Sequence, residues 1–213
     1  MSADAATIVA DQQPAVVWLT GVSGAGKSTI ARELEAELRA LGRAVGRVDG
    51  DDLRSGLCSD LGFSLADREE NVRRAGEVAR LMVRSGMIVI VSLISPCRAS
   101  RDQVRALFEH GEFFEAYVDT PLEVAELRDP KGLYRRARAG RIGEFTGIDS
   151  PYEPPEAPEI RLDTIEHTPS ECALIVVDTL VHAQRLRDAS PLPAGAGRRP
   201  ARARKGFSFR VAR

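Results

Sequence analysis

Short apolar runs alternate with longer amphipathic stretches along most of this 213-residue chain. Val16-Val17-Trp18-Leu19-Thr20 is apolar enough for a buried strand. Beyond it, Ile30, Leu34, Leu38 and Leu41 share one face, which predicts a helix over 29–41. A short strand is expected over 44–48. The helix predicted over 67–85 carries Val72, Ala75, Val78, Ala79, Met82 and Val83 at helical spacing, and Gly86 ends it. The run over 87–91 is continuously apolar and rich in β-branched residues, as a central strand is. An amphipathic helix follows over 100–110, stopped at Gly111, and then a fourth strand over 114–118. Thr120-Pro121-Leu122-Glu123 and Thr168-Pro169-Ser170-Glu171 both have the form of a capping box with proline at the first helical position. A helix should open at each, the second running through about Arg187, with a fifth strand over 159–162. Strands alternating with helices require a parallel sheet covered on both faces, hence a three-layer α/β fold. Ligands on such a sheet bind beyond the carboxyl ends of the strands.

Composition bounds the partners. Formal net charge is −1, with 43% hydrophobic and 29% charged residues, so the whole molecule gives no electrostatic case for nucleic acid or membrane. The charge is unevenly placed: residues 188–213 hold seven Lys/Arg against one acidic residue and have no strand or helix period. That basic tail is expected to be disordered, as is an Ala-, Asp- and Gln-rich lead-in over 1–15, leaving one folded domain over 16–187. Cys58, Cys97 and Cys172 show no CxxC spacing, so neither a disulfide framework nor a zinc site is expected. Without a basic n-region or a long apolar run near residue 1, the expectation is a cytoplasmic protein.

The chemistry begins directly after the first strand. Gly21-Val22-Ser23-Gly24-Ala25-Gly26-Lys27-Ser28 fits G-x-x-x-x-G-K-[ST], and a helical segment starting at Thr29 follows it. Strand, glycine-rich loop and helix in that order aim backbone N–H groups and a helix N-terminus at one anion. Lys27 is placed to reach the β/γ-phosphates of a nucleoside triphosphate, and the Ser28 hydroxyl to ligate Mg²⁺.

Further polar segments fall at strand ends or in loops. They are Asp49-Gly50-Asp51-Asp52-Leu53-Arg54, Gly62-Phe63-Ser64 leading to Asp67-Arg68-Glu69-Glu70-Asn71, and Ile94-Ser95-Pro96. In the segment over 129–158, rich in Arg, Gly and Pro, stand Asp129-Pro130-Lys131-Gly132-Leu133-Tyr134 and Phe145-Thr146-Gly147-Ile148-Asp149. Taken in order with the phosphate loop, this set closely resembles the adenylylsulfate kinase (APS kinase) family over about 16–164. The resemblance implies a phosphate-loop kinase on a five-stranded parallel sheet with a mobile basic lid. The activity it implies is transfer from ATP to the 3′-hydroxyl of adenosine 5′-phosphosulfate, giving PAPS in sulfate activation.

Phosphoryl transfer to an alcohol needs an aligned nucleophile, a metal-bound triphosphate and a carboxylate near the acceptor hydroxyl. Asp51, at the tip of the second strand, is the candidate base, with Asp49 organising Mg²⁺-bound water or the loop. The plainer alternative for Asp-Gly after a strand is an Asx-turn or helix cap. Arg68 and Asn71 lie three apart on one helix face. With Arg54, they match positions that hold the acceptor's anionic bridge and ribose, whereas Arg73 and Arg74 are expected on a solvated face. Phe63 and Phe145 sit in polar loops, as satellite anchors or stacking surfaces. The resemblance assigns them to sandwich the acceptor's adenine. Arg128, Lys131, Arg135, Arg136, Arg138 and Arg141 resemble the lid. Within it, Arg128 matches the residue packing on the ATP adenine and Lys131 one contacting phosphates, with Gly132 and Leu133 beside the acceptor. Arg135 and Arg136 are expected on an exposed helix.

Ser95 matches a position sometimes assigned as a transient phosphoserine. Direct attack needs no such intermediate, so positioning through the Ile94-Ser95 backbone is expected. The sequence departs from the family at Cys97, where an aromatic or His is common, and at Ala125, where Cys is frequent. A homodimer and functional coupling to ATP sulfurylase come with the resemblance.

Three rival readings share part of this pattern. A phosphate-loop kinase acting on a sugar or antibiotic hydroxyl would not need Phe63, Phe145 and the Arg68/Asn71 pair together. A GTP-dependent switch would use D-x-x-G, which Asp129-Pro130-Lys131-Gly132 fits, but that run follows a predicted helix and no N-K-x-D accompanies it. Nucleic-acid binding would rest on the basic tail alone.

Overall fold

The computed structural model describes residues 12–186. The basic tail and the lead-in up to residue 11 lie outside the described residues. Five parallel strands form one sheet: β1 (Ala15–Thr20), β2 (Val45–Asp49), β3 (Ile88–Ser92), β4 (Phe113–Asp119) and β5 (Ile160–Asp163), in the order β2-β3-β1-β4-β5. β1 is central, with all six residues buried and partners on both sides. Its alternation splits the core in two. Ala15, Val17 and Leu19 pack with Ile30, Leu34 and Leu38 of α1 (Lys27–Ala40) and Val176 and Leu180 of α7 (Pro169–His182). Val16 and Trp18 face Val72, Ala75, Ala79 and Val83 of α3 (Leu65–Arg84) and Val104 of α4 (Arg98–Arg105). The chain therefore leaves β1 toward one face and β3 toward the other, so a crevice opens between their carboxyl ends. That crevice carries the candidate site.

Several boundaries differ from expectation, each for a local reason. The folded part starts before residue 16. Gln12 is buried, and its side-chain amide donates to the carbonyls of Ala44 (3.0 Å) and Gly86 (2.6 Å) while accepting from the Ala44 N–H (2.9 Å). Thr120 does not cap a helix. Its hydroxyl donates to the Ala25 carbonyl (3.1 Å), and Pro121 is the N-cap of α5 (Leu122–Arg128). The Thr168–Glu171 capping box does form, and α7 ends at His182, short of 187. The helix expected over 100–110 ends at Arg105, where Leu107 and Phe108 continue it only as tight turns. Two six-residue helices stand at the polar segments: α2 (Gly50–Ser55), where the sequence offers an Asx-turn or a helix cap, and α6 (Leu133–Arg138), which carries the Arg135 and Arg136 expected on an exposed helix. No described helix is long and apolar enough to cross a membrane.

Candidate active site

The phosphate loop joins β1 to α1. Gly24 has φ 73, and a Cβ there would sit 2.8 Å from the Ala125 carbonyl oxygen, so only glycine fits. α1 starts at Lys27 with Gly26 as N-cap, no side-chain cap and no acid in its first turn, which leaves its N-terminal N–H groups for an anion. The Lys27 ammonium is folded onto its own loop, donating to the carbonyls of Gly21 (2.8 Å) and Val22 (2.7 Å). Burial, and then the charge of Lys131, push its pKa down to about 7 against the opposing pull of Asp49 and Asp51. Ser28 donates its hydroxyl to Asp49 Oδ2 at 2.8 Å, and Ser92 donates to the same oxygen at 2.7 Å. Asp49 Oδ1 accepts from the Asp51 N–H at 3.0 Å, capping α2. Burial works to raise the Asp49 pKa. The hydrogen bonds from Ser92, Asp51 and Ser28 outweigh it and hold the carboxyl below its usual range. A hydroxyl and an ionised carboxylate on adjacent atoms form a hard-oxygen pair suited to Mg²⁺, which commonly takes one or two carboxylates alongside phosphate and water.

Asp51 points outward from this pair, and its carboxylate forms an ion pair with Lys131 from the far side of the crevice. The next elements gather cations without anions. Arg54 donates to the Gly62 carbonyl (2.8 Å) and lies 4.4 Å over the Phe63 ring. Arg68 donates to the Phe63 carbonyl (2.7 Å), to Thr146 Oγ1 and to the Glu144 carbonyl. Among the described residues neither guanidinium has an ion-pair partner, whereas Arg73, Arg74 and Arg80 of α3 are matched by Glu70, Asp60 and Glu77. Arg68 and Arg54 also repel each other, and this adds to the effect of burial in lowering the Arg68 pKa. Asn71, one helical turn on, is 4% exposed and its Nδ2 has no hydrogen-bond partner. Two unpaired cations and an orphaned buried amide on one side of a crevice are what an anionic, hydroxyl-bearing ligand would complete.

The two phenylalanines differ. Phe63 is 59% exposed, with the Arg54 guanidinium over its ring. Phe145 is instead buried with Tyr134, Ala125 and Ala137, flanked by Val22, Leu122 and Leu133, so here it is an anchor of a third small core. Of the two readings its polar loop allowed, satellite anchor is the one the packing shows, with partners drawn from three other segments.

Ser95 is 2% exposed, and its hydroxyl accepts from Trp18 Nε1 (3.0 Å) while donating to Thr20 Oγ1 (3.0 Å). Its proton and one acceptor site are spent inside the protein, which favours positioning over attack. Its backbone adopts φ 40, a strained conformation for a residue preceding proline. Arg101 holds it there. This buried guanidinium donates to the Ser95 carbonyl (2.7 Å), to the Glu153 carbonyl (2.7 Å) and to Glu115 Oε1 (2.6 Å). Thr20 completes the tie, bonded to the Ile94 carbonyl (2.8 Å) and to the Tyr152 hydroxyl (2.9 Å). Strand end, acceptor-side loop and the segment returning from the lid thus share one buried network. Sequence reasoning missed it, although a Glu within the apolar run Phe113-Phe114-Glu115-Ala116 was a usable signal. Arg101→Met is expected to destabilise the protein by about 3 kcal/mol, read as a lower urea midpoint. The cost stays low in the range for broken buried pairs because Arg105 still reaches Glu115, at 3.3 Å.

In the lid, Asp129 caps α6 by accepting from the N–H groups of Tyr134 and Arg135 (both 3.1 Å), a structural use of the D-x-x-G segment. Arg135 and Arg136 are exposed as expected, while Arg138 pairs with Glu126 (2.9 Å). Gly132 is the left-handed N-cap of α6, and Leu133 packs into the lid's small core. Arg128 donates to Thr164 and lines an open cleft of 590 Å³ with Glu123, Leu127 and Arg135, ample for a base.

Comparison with known proteins adds to this geometry. The family model described as adenylylsulphate kinase matches residues 13–163. An adenylyl-sulfate kinase from Marinobacter nauticus is 55% identical over 171 residues, 80% of this chain and 84% of its own. The bifunctional enzyme NodQ from Azospirillum brasilense is 53% identical over 178 residues, 84% of this chain but 28% of that longer protein. Among solved structures, the Mycobacterium tuberculosis APS kinase CysC in complex with AMPPNP and APS is similar at TM-score 0.76 and 46% identity, covering 80% of this chain and 99% of that one.

Proposed function

The chain belongs to the adenylylsulfate kinase family, and from that membership we infer that it transfers the γ-phosphoryl group of ATP to the 3′-hydroxyl of adenosine 5′-phosphosulfate, giving PAPS and ADP. The observation that carries the acceptor's identity is the pair of guanidiniums, Arg54 and Arg68, free of carboxylates beside an exposed phenylalanine and across from the phosphate loop.

In this reading the loop over 21–28 and Thr29 wrap the triphosphate, and Lys27 leaves its carbonyls for the β/γ-phosphates. Arg128 packs on the ATP base at the open cleft. Ser28, with Asp49 behind it, would hold Mg²⁺, which would offset triphosphate charge. Arg54, Arg68 and Asn71 take the phosphosulfate bridge and ribose, and Phe63 stacks on the adenine with Phe145 bounding the pocket. Ile94 and Ser95 fix the acceptor by backbone contacts, while Gly132 and Leu133 border it from the lid. The 3′-oxygen forms a bond to the γ-phosphorus as the bond from that phosphorus to the β–γ bridging oxygen breaks. The acceptor proton passes to the Asp51 carboxylate, and Lys131 swings from Asp51 to the transferring group. Self-association as a homodimer and coupling to an ATP sulfurylase are further parts of the proposal.

The test is a product assay with ATP, Mg²⁺ and adenylylsulfate, shikimate or gluconate as acceptors. Preferential conversion of adenylylsulfate is expected, and preference for a non-nucleotide overturns the reading. Phe63→Ala is expected to raise KM for adenylylsulfate about tenfold, as one lost base–aromatic stack would, with KM for ATP unchanged. Equal changes in both constants would remove Phe63 from the acceptor site.

A further inference from the structure

One side chain touches both halves of the crevice. Tyr134 is 1% exposed, and its hydroxyl donates to the carbonyl of Ser23, inside the phosphate loop, at 2.9 Å. Its ring meets Phe145 edge-on, with centroids 5.0 Å apart at 76°. The residues flanking Phe145 are in turn fastened to α3, because Arg68 donates to the Glu144 carbonyl and to Thr146 Oγ1. A continuous path therefore runs from the nucleotide loop through Tyr134 and Phe145 to the guanidinium of the acceptor side. Burial, with Glu126 and Asp129 nearby, pushes the Tyr134 pKa up to about 12, so the hydroxyl stays a donor throughout the physiological range.

We propose that Tyr134 is a positioning residue that couples the two substrate subsites, its hydroxyl tying the phosphate loop to the lid wall of the acceptor pocket. A nucleotide that orders the loop around its phosphates fixes the Ser23 carbonyl, hence Tyr134, hence the Phe145 segment and Arg68. The acceptor then enters a pocket whose ordering cost is already met, and by linkage it tightens the nucleotide by the same factor. The inference rests on the proposed reaction, since it takes the crevice between β1 and β3 to hold both substrates.

Calorimetric titration of adenylylsulfate into the full-length protein, with and without saturating Mg²⁺ and ADP, measures the coupling without turnover. The wild type is expected to bind adenylylsulfate at least about 5-fold more tightly when ADP is present. In Tyr134→Phe, which keeps the ring and its packing, that ratio should fall to within about 2-fold of unity while the affinity for ADP alone stays within about 2-fold of wild type. A melting temperature close to wild type checks that the variant is folded, and Phe145→Leu should reduce the same ratio by cutting the next link. Retention of the wild-type ratio in Tyr134→Phe overturns the proposal. So does loss of ADP affinity itself, which would mean that the hydroxyl merely braces the loop. Wild-type turnover of adenylylsulfate is measured alongside. Turnover without coupling removes the role of Tyr134 alone, whereas no turnover removes the reaction and this inference together.

Discussion

Lys27→Met is expected to abolish measurable turnover, lowering kcat/KM by about 10³-fold or more while the protein stays folded. A migrating phosphoryl group carries negative charge that little but positioned cations can offset, and methionine fills the volume of lysine without its charge. The ammonium is already aimed at the loop's centre, spending two hydrogen bonds on the carbonyls of Gly21 and Val22. A triphosphate is a better acceptor for both. The depressed pKa supplies a second readout. With a value of about 7, much of the side chain is neutral at pH 8 in the free protein. Phosphate oxygens favour the charged form and return the pKa toward 10.5, so binding of ADP with Mg²⁺ at pH 8 should take up close to one proton. Calorimetry in buffers of different ionisation enthalpy measures this uptake, and Lys27→Met should lose it. The sign for stability follows from the same shift. Between about pH 7 and 10.5 the unfolded chain holds the Lys27 proton more firmly than the folded one. The penalty for burying this charge is therefore complete below that window and fades as pH rises through it. An active Lys27→Met, or unchanged proton uptake, would remove the residue from the phosphate site.

What the sequence revealed depended on how local each signal is. The strands and the phosphate loop were legible because each rests on neighbours within a few residues: β-branched runs for β1 and β3, glycine spacing for the loop. The bounds of α2 and α6 were not, since six residues are too few for a 3.6-residue period to show, although a helix cap was one reading of the Asp-Gly pair and Arg135 and Arg136 were expected on an exposed helix. The two Thr-Pro sequences make the contrast plain. Both have the capping pattern, yet Thr168 caps while Thr120 turns its hydroxyl to Ala25, 95 residues away. The site divides along the same line. Gly21 to Ser28, Asp51, Arg54 and Arg68 were singled out from spacing and family pattern, and their roles belong to the proposed function. The buried contacts of Arg101 and Tyr134 were not legible, because what marks them is contact with Ser95, Glu115 and Glu153 in one case and with a carbonyl 111 residues distant in the other. Phe145 lies between these extremes: its place in the chain was informative, but its burial against Tyr134 was a property of the lid's own packing.

Asp51→Asn is expected to lower kcat by about 10²- to 10⁴-fold at neutral pH, with KM for ATP little changed. Asparagine preserves size and can still accept a hydrogen bond from the acceptor hydroxyl, but it cannot take its proton, so the loss falls on the chemical step. The ion pair with Lys131 complicates any single substitution, because removing the carboxylate also frees the lysine. A double-mutant cycle separates the two effects. If Asp51 served only to hold Lys131, then Lys131→Met would reproduce the loss, and the double variant would be no worse than either single one. If Asp51 is the base and Lys131 acts separately on the transferring group, both single variants lose kcat and the double variant should be slower than either. The lysine is in any case 55% exposed at its side chain and the aspartate 69%, so the pair is a weak restraint that a bound substrate can break. Backbone geometry places the carboxylate instead, through the Asp51 N–H on Asp49, which is why the substitution should leave α2 and the Asp49–Ser28 pair intact. Near-normal kcat in Asp51→Asn would mean that the hydroxyl loses its proton by another route, with Asp51 reduced to a partner for the lid.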